Sequence, residues 1–191
     1  MNRRLLLIVG SLLLPLGCGG PSSPPSPPGP NGNDDAPLVL QPRELCSDHT
    51  GYVIATFEDA NLEAAIRAAL EVGAEEDLTC GLISGLTALN ADTVGIESLV
   101  GMQNLTSLTS LRLGSNSITD ISVLSGLTSL TYLYLDSNSI TDISALSGLT
   151  SLTGLGLPNN QITDISVLSG RSSPDLCVKP KLSDWEWESS K

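Results

Sequence analysis

The sequence predicts an α/β solenoid, in which short strands and tight turns alternate along a stack of similar coils. Three observations predict it: a repeat without gaps over residues 105–170, apolar positions whose spacing changes within each copy, and a helix-forming segment before the array. Aromatic residues make up only 3% of the chain. We therefore expect a core of stacked aliphatic side chains in place of one large aromatic core.

The repeat consists of three consecutive 22-residue copies, at residues 105–126, 127–148 and 149–170. They share the frame L-x-x-L-x-x-L-x-L-x-x-N-x-I-x-x-I-x-x-L, which matches the leucine-rich-repeat signature in spacing and length. Leu111 and Leu113 alternate as in a strand, whereas Ile118, Ile121 and Leu124 recur at intervals near three, as in a 3₁₀-like turn. Because one copy cannot offset its ordering entropy by burial, the copies must stack as parallel strands.

A weaker copy and a cap precede this array. The frame continues backwards through Ile83, Leu86, Leu89, Ala91, Ile96, Leu99 and Met102, with Val94 in place of the asparagine. Before it, the apolar positions Leu62, Ala65, Ile66, Ala69 and Leu70 line one helical face. Asp59 can cap that helix, Glu63 and Arg67 are spaced for an i,i+4 pair, and Gly73 can end it. We expect residues 38–82 to form an amino-terminal cap and residues 83–170 to form four coils.

Residues 57–70, which read FEDANLEAAIRAAL, are followed by Asp77-Leu78-Thr79 and by the 22-residue coils. Together these segments resemble internalin-type bacterial repeat proteins with their helical cap, over residues 52–170. The resemblance implies a right-handed superhelix with parallel strands on its concave side. It also implies extracellular recognition of another macromolecule.

The carboxy-terminal end departs from that pattern, because Arg171 and Pro174 stand where another coil would need leucine. Residues 171–191 are thus predicted to be a tail. Leu182, Trp185 and Trp187 can fold over the last coil as a partial cap, or the chain is a shortened member of its family.

Two polar positions recur with the coils. Asn116, Asn138 and Asn160 fall where the chain leaves each strand, and a carboxamide there can donate to and accept from backbone groups. Asp120, Asp142 and Asp164 suit the cap of the turn that follows. Both sets are interpreted as structural, which leaves neither a catalytic nor a metal-binding role for them.

The chain begins like an exported protein. Asn2-Arg3-Arg4 precedes an apolar run over residues 5–14 that is too short to span a bilayer, as in a secretory signal over residues 1–17. The paired arginines also allow twin-arginine export, although no further motif supports it.

Residues 14–18, Leu-Pro-Leu-Gly-Cys, resemble a bacterial lipobox, which implies lipid attachment at Cys18 after cleavage. Pro15 departs from that motif, and the alternative is a chance cysteine beside an ordinary cleavage site. Residues 19–37 contain no large apolar side chain and form a proline-rich linker of a kind that holds a domain away from its anchor. We expect a lipoprotein of the cell envelope, at the outer membrane or cell surface, or a secreted protein if the lipobox is not used.

Three cysteines remain if Cys18 carries lipid, which leaves one unpaired in an oxidising compartment. Cys46 and Cys80 bracket the cap helix, whereas Cys177 lies about four coils further on, roughly 19 Å away. A disulfide tolerates a Cα separation of only about 7 Å. The sequence therefore predicts a Cys46–Cys80 bond, with Cys177 buried in the register of Leu155 or, alternatively, free for covalent dimerisation.

No feature of the sequence supports an enzyme or a cofactor site. The single histidine, His49, lies beside Cys46 and Asp48 without a second ligand pair at zinc spacing. There is no G-x-S-x-G turn and no glycine-rich phosphate loop. The formal charge of -12 opposes nucleic acid and anionic lipid as partners.

The concave face comprises the residues that alternate with the inward leucines, and the copies differ most there. Tyrosine and arginine are enriched at interaction hot spots, so we predict that a protein ligand, or alternatively a glycan, binds to Arg112, Tyr132, Tyr134, Asp136 and Asn90. The alternatives are that the tyrosines merely suit exposed strands and that the chain is a structural envelope lipoprotein without a ligand. A monomer is expected.

Overall fold

The computed structural model describes residues 37–49 and 52–169, and the backbone of residues 175–177. The helices are α1 (Ala60–Leu70) and α2 (Cys80–Ile83). The strands are β1 (Leu38–Val39), β2 (Val53–Ile54), β3 (Ala88–Asn90), β4 (Ser110–Arg112), β5 (Tyr132–Tyr134), β6 (Gly154–Gly156) and β7 (Asp175–Cys177). Short 3₁₀ turns lie at Cys46–Asp48, Met102–Asn104, Ser122–Gly126, Ser144–Gly148 and Ser166–Leu168.

The predicted solenoid is confirmed. Strands β3 to β7 form one five-stranded sheet in chain order, and every neighbouring pair is parallel. Leu89, Leu111, Leu133 and Leu155 are aligned across it. The 3₁₀ turns of successive coils contact one another away from the sheet, so each coil has a strand side and a turn side.

The core consists of the apolar positions of the frame. In the second and third coils the framework leucines and isoleucines from Leu105 to Leu146 are at most 2% exposed. The corresponding positions before the three regular copies are buried as well: Ile83, Leu86, Leu89, Ala91, Ile96, Leu99 and Met102. Val94 is exposed in that segment, whereas Asn138 and Asn160 at the equivalent position of later coils are buried.

Helix α1 closes the amino-terminal end, as predicted. Its buried Leu62 and Ile66 belong to the common core, and the helix contacts β3. One oxygen of the Asp59 carboxylate accepts from the N–H groups of Asn61 and Leu62. The other accepts from the N–H groups of Glu97 and Ser98 in the first coil, at 2.8 and 3.2 Å.

Asp59 therefore caps the helix and holds it to the array with the same carboxylate. Burial raises the pKa of Asp59, but the four backbone donors outweigh burial and the net pKa is below the ordinary value of 3.8.

The prediction that Gly73 ends the helix is wrong. The helix ends at Leu70, and Glu71 adopts the left-handed conformation with φ of 58°. The N–H of Glu71 donates to the carbonyl of Ala68, and that of Val72 donates to the carbonyl of Arg67. These bonds satisfy the last carbonyls of the helix two residues before the glycine.

The parallel pair β1–β2 was not predicted from the sequence, nor were the contacts that hold the segment after β1. Asn104 holds it: its Oδ1 accepts from the N–H of Cys46 at 2.8 Å, and its Nδ2 donates to the carbonyl of Glu44 at 2.9 Å. The later coils have glycine at the equivalent positions 126, 148 and 170. The first coil thus departs from the frame where it contacts the cap.

Gly101 is a second such departure. A Cβ at this position would lie 2.5 Å from Cδ1 of Phe57 and 2.8 Å from the carbonyl oxygen of Thr56, and its φ is 110°. Both the close approach and the conformation require glycine, whereas the later coils carry valine or alanine there.

A disulfide joins Cys46 to Cys80, with a Cα–Cα distance of 5.6 Å. It links the turn after β1 to the start of α2, and both cysteines pack against the core. This is the pairing that the sequence predicts.

The carboxy-terminal end differs from the prediction in two ways. Strand β7, which is the fifth strand of the sheet, lies within the segment that was predicted to be a tail. Leu176 is aligned with Leu155, and Cys177 is aligned with Gly156, so the expected register of Cys177 is wrong by one residue. The step from 155 to 176 is 21 residues, against 22 from 133 to 155, which explains the shift. Leu182, Trp185 and Trp187 lie outside the described residues.

No helix among residues 37–49 and 52–169 has the length and apolar character needed to cross a bilayer. The predicted signal segment and Cys18 lie outside the described residues.

Candidate recognition surface on the concave face

The concave face carries the side chains that alternate with the buried leucines of the sheet. Arg112 and Asn90 are exposed and Tyr134 and Asp136 are partly buried, whereas Tyr132 is 47% exposed. The register sets Asn90 beside Arg112 and Arg112 beside Tyr134 on adjacent strands. The structure therefore brings the predicted binding residues together on one side of the sheet.

Arg112 is held in place by residues of the coils on either side. Its Nε donates to Oδ2 of Asp92 at 3.0 Å, and its guanidinium carbon lies 5.1 Å from the centroid of the Tyr134 ring. Arg112 thus combines an ion pair with a cation–π contact. Asn90 accepts the N–H of Asp92 through its own Oδ1 at 3.2 Å, which fixes the carboxamide at the end of β3.

The two tyrosines lie over glycines of the next strand. A Cβ at Gly154 would be 2.7 Å from Cδ1 of Tyr132, and a Cβ at Gly156 would be 2.8 Å from Cδ1 of Tyr134. Any side chain at these positions would push the rings outward, so the glycines of β6 allow the rings to lie close to the sheet. The sequence predicts that both glycines lie on this face. Only the structure shows that the tyrosines of the preceding coil cover them.

Two aspartates converge on Gly114. Oδ1 of Asp92 accepts the N–H of Gly114 at 2.6 Å. The carboxylate of Asp136 lies on the other side, with Oδ1 2.9 Å from the point that a Cβ of Gly114 would occupy. Only glycine leaves room for Asp136 in this position.

Beneath this face, an asparagine ladder fixes the spacing of the coils. Oδ1 of Asn138 accepts the N–H of Ile118 at 3.0 Å, and its Nδ2 donates to the carbonyls of Leu113 and Leu135 at 2.9 and 3.0 Å. Asn160 repeats the pattern one coil later with Ile140, Leu135 and Leu157. Asn116 joins the second coil to the first in the same way. Each asparagine thus binds backbone of its own coil and of the preceding one.

On the turn side, Asp120, Asp142 and Asp164 each accept the N–H of the serine two residues later at 2.8 Å. The N–H groups of Ser122 and Ser166 hold the pKa values of Asp120 and Asp164 below the ordinary 3.8. Among the described residues, no group of three or more histidine, cysteine or acidic side chains is arranged to hold a metal ion.

This geometry defines a leucine-rich-repeat solenoid with a helical amino-terminal cap. The family described as Leucine Rich repeats (2 copies) matches residues 106–148 and 128–170. No curated protein sequence matches the chain.

Two solved structures from Listeria monocytogenes are similar to this chain. An internalin (inlF) is 43% identical, with a TM-score of 0.57 over 59% of this chain and 33% of its own. The functional domain of InlJ, which includes a cysteine ladder, is 36% identical, with a TM-score of 0.53 over 57% of this chain and 24% of its own. The chain thus spans about a third or less of these two relatives.

Proposed function

We propose that the chain is a binding module of the bacterial cell envelope that recognises a protein ligand through its concave face and has no enzymatic activity. The observation that carries this proposal is the tyrosine pair lying over the glycines of β6, with Tyr132 exposed and Tyr134 partly buried. Tyr132 and Tyr134 present aromatic surface next to Arg112 and Asp136, and β6 holds no side chain that would cover them. Aromatic and arginine side chains of restricted mobility are the usual anchors of protein interfaces.

The face is also preorganised. Arg112 is fixed by Asp92 and Tyr134, and the rings rest on the backbone of the next strand. A ligand would therefore have to order few of these side chains on binding, which lowers the entropic cost of association. A structural envelope protein without a ligand has no need of such an arrangement.

The double substitution Tyr132→Ala/Tyr134→Ala tests the face. We expect capture of the ligand from envelope extracts by the purified protein to fall at least about tenfold, since anchor residues typically contribute 2 kcal/mol or more each. Captured proteins would be identified and quantified by mass spectrometry. Neither tyrosine is fully buried, so the melting temperature should change little.

Tyr52→Ala is the matched control, because Tyr52 is a tyrosine of the cap that bonds to Asp77 and lies off the concave face. It should capture as much ligand as the native protein. Equal capture by the double variant and the native protein would instead favour a structural role without concave recognition.

We further propose that lipid on Cys18 anchors the module, with residues 19–37 as the spacer. The variant Cys18→Ser is expected to move the protein from the membrane fraction to the soluble fraction, because the thioether attachment is lost. Fractionation and immunoblotting measure this. A variant that stayed with the membrane in native amounts would contradict lipid anchoring without affecting the proposed ligand binding.

A further inference from the structure

We propose that Asp136 is the docking point on the concave face for a cationic side chain of the ligand, with arginine as the best fit. The proposal rests on the proposed function, because it names the chemistry that the same face recognises. It comes from comparing two aspartates that occupy equivalent positions in coils two apart.

Asp92 shows what this position does when its partners are present. Its carboxylate accepts from Nε of Arg112, twenty residues later, and from the N–H of Gly114, twenty-two residues later. Both oxygens are therefore engaged, and the aspartate is satisfied within the chain.

Asp136 occupies the equivalent position two coils later, but neither of the two donors that bind Asp92 has a counterpart there. The residue twenty positions later is Gly156, which has no side chain, and the residue twenty-two positions later is Pro158, which has no N–H. Among the described residues, the carboxylate of Asp136 accordingly accepts no hydrogen bond and joins no ion pair, although the residue is partly buried. A partly buried carboxylate without donors gains more from an incoming cation than a fully hydrated one does.

The neighbouring groups favour a guanidinium. Tyr134 lies two residues before Asp136 on the same side of the strand, and its ring already accommodates the guanidinium of Arg112 at 5.1 Å. The pair Asp92–Arg112 therefore shows, within this chain, that a guanidinium fits between a carboxylate and an aromatic ring on this face. An arginine of the ligand can place its planar fork on both oxygens of Asp136, which a lysine cannot do.

The overall charge acts in the same direction. The chain carries 21 acidic against 9 basic residues, so its field attracts a basic segment and repels an acidic one. The occupant that fits best is a basic peptide segment of a protein ligand.

The test uses the full chain, labelled with ¹⁵N, and the peptide acetyl-Gly-Ser-Gly-Arg-Gly-Ser-Gly-amide as the probe. Its partner peptide carries citrulline, which keeps the shape of arginine but has no charge. We expect the arginine peptide to bind about tenfold more tightly than the citrulline peptide, with amide shifts centred on Asp136 and Gly114. The lysine peptide should fall between them.

The variant Asp136→Asn should reduce the affinity for the arginine peptide about tenfold and leave that for the citrulline peptide unchanged. Glu75→Gln is the matched control, because it removes one negative charge from an exposed position in the cap and should keep native affinity. Equal binding of the arginine and citrulline peptides, or equal loss in both variants, would overturn the proposal.

The same variants separate this inference from the proposed function. If ligand capture depends on Tyr132 and Tyr134 but is unchanged in Asp136→Asn, the recognition face stands and the cation site falls. If a glycan array binds through the tyrosines while the arginine peptide does not, the cation site falls as well. Loss of both arginine-peptide binding and ligand capture in Asp136→Asn supports both.

Discussion

Replacing Asn138 with alanine is expected to lower the free energy of unfolding by about 3 to 5 kcal/mol. Asn138 is buried and makes four hydrogen bonds to backbone groups at 2.9 to 3.2 Å, two of them to the preceding coil. Alanine would leave the N–H of Ile118 without a partner and would open a polar cavity between coils. Urea unfolding followed by circular dichroism measures the change.

The carbonyls of Leu113 and Leu135 limit the damage, because each keeps a second asparagine donor, from Asn116 and Asn160 respectively. The expected loss of stability therefore comes mainly from the unpaired N–H of Ile118 and from weaker contact between the two coils. Asn159→Ser is the control, since Asn159 is exposed and the two preceding coils carry serine there. It should change the free energy by less than about 1 kcal/mol. An equally small loss for Asn138→Ala would contradict the role assigned to the ladder.

Removing the disulfide by Cys46→Ala/Cys80→Ala is expected to lower the free energy of unfolding by about 3 to 4 kcal/mol. Without the crosslink, the unfolded chain regains the conformational entropy of the loop between the two cysteines. The two cysteines are 34 residues apart and enclose α1. Since the cap covers the first coil, we also expect hydrogen exchange to increase first in the cap and in β3. Urea unfolding and exchange mass spectrometry measure the two effects.

Reduction of the native protein with a thiol reagent should reproduce the loss, and the double variant should not respond to the reagent. Non-reduced peptide mapping provides the second check. A peptide linking Cys177 to either Cys46 or Cys80 would contradict the pairing, and an unpaired Cys177 remains a prediction.

The coils themselves could be read from the sequence because each follows one local rule. A 22-residue frame repeated without a gap fixes which side chains face inward, and stacking then follows from the need to bury them. The same frame identified the asparagines as backbone ligands and the first coil despite Val94. Asp59 could be recognised as a helix cap because the capping residue is adjacent in sequence.

The features that the sequence missed depend on contacts between distant segments. Asn104, Gly101 and the second pair of bonds at Asp59 serve the junction of cap and array, over separations of 38 to 60 residues. The repeat period does not indicate where the cap contacts the array. In the sequence alone, Gly101 and Asn104 look like random departures from the repeat frame, and only the structure shows that they contact the cap. The shift of Cys177 arose because the last coil is one residue shorter, so that Leu176 takes the position across from Leu155.

For the recognition surface, the sequence determined which residues share the concave face. Strand alternation determines the face of the sheet on which a side chain lies, and the 22-residue period determines which residues of successive coils are neighbours. Only the tertiary structure decided what each of them is free to do. Arg112 and Asp92 satisfy each other across neighbouring coils, whereas Asp136 faces a glycine and a proline and keeps its carboxylate available. The physical reason is that a hydrogen bond is a property of two groups in space, and the second group here belongs to the next coil.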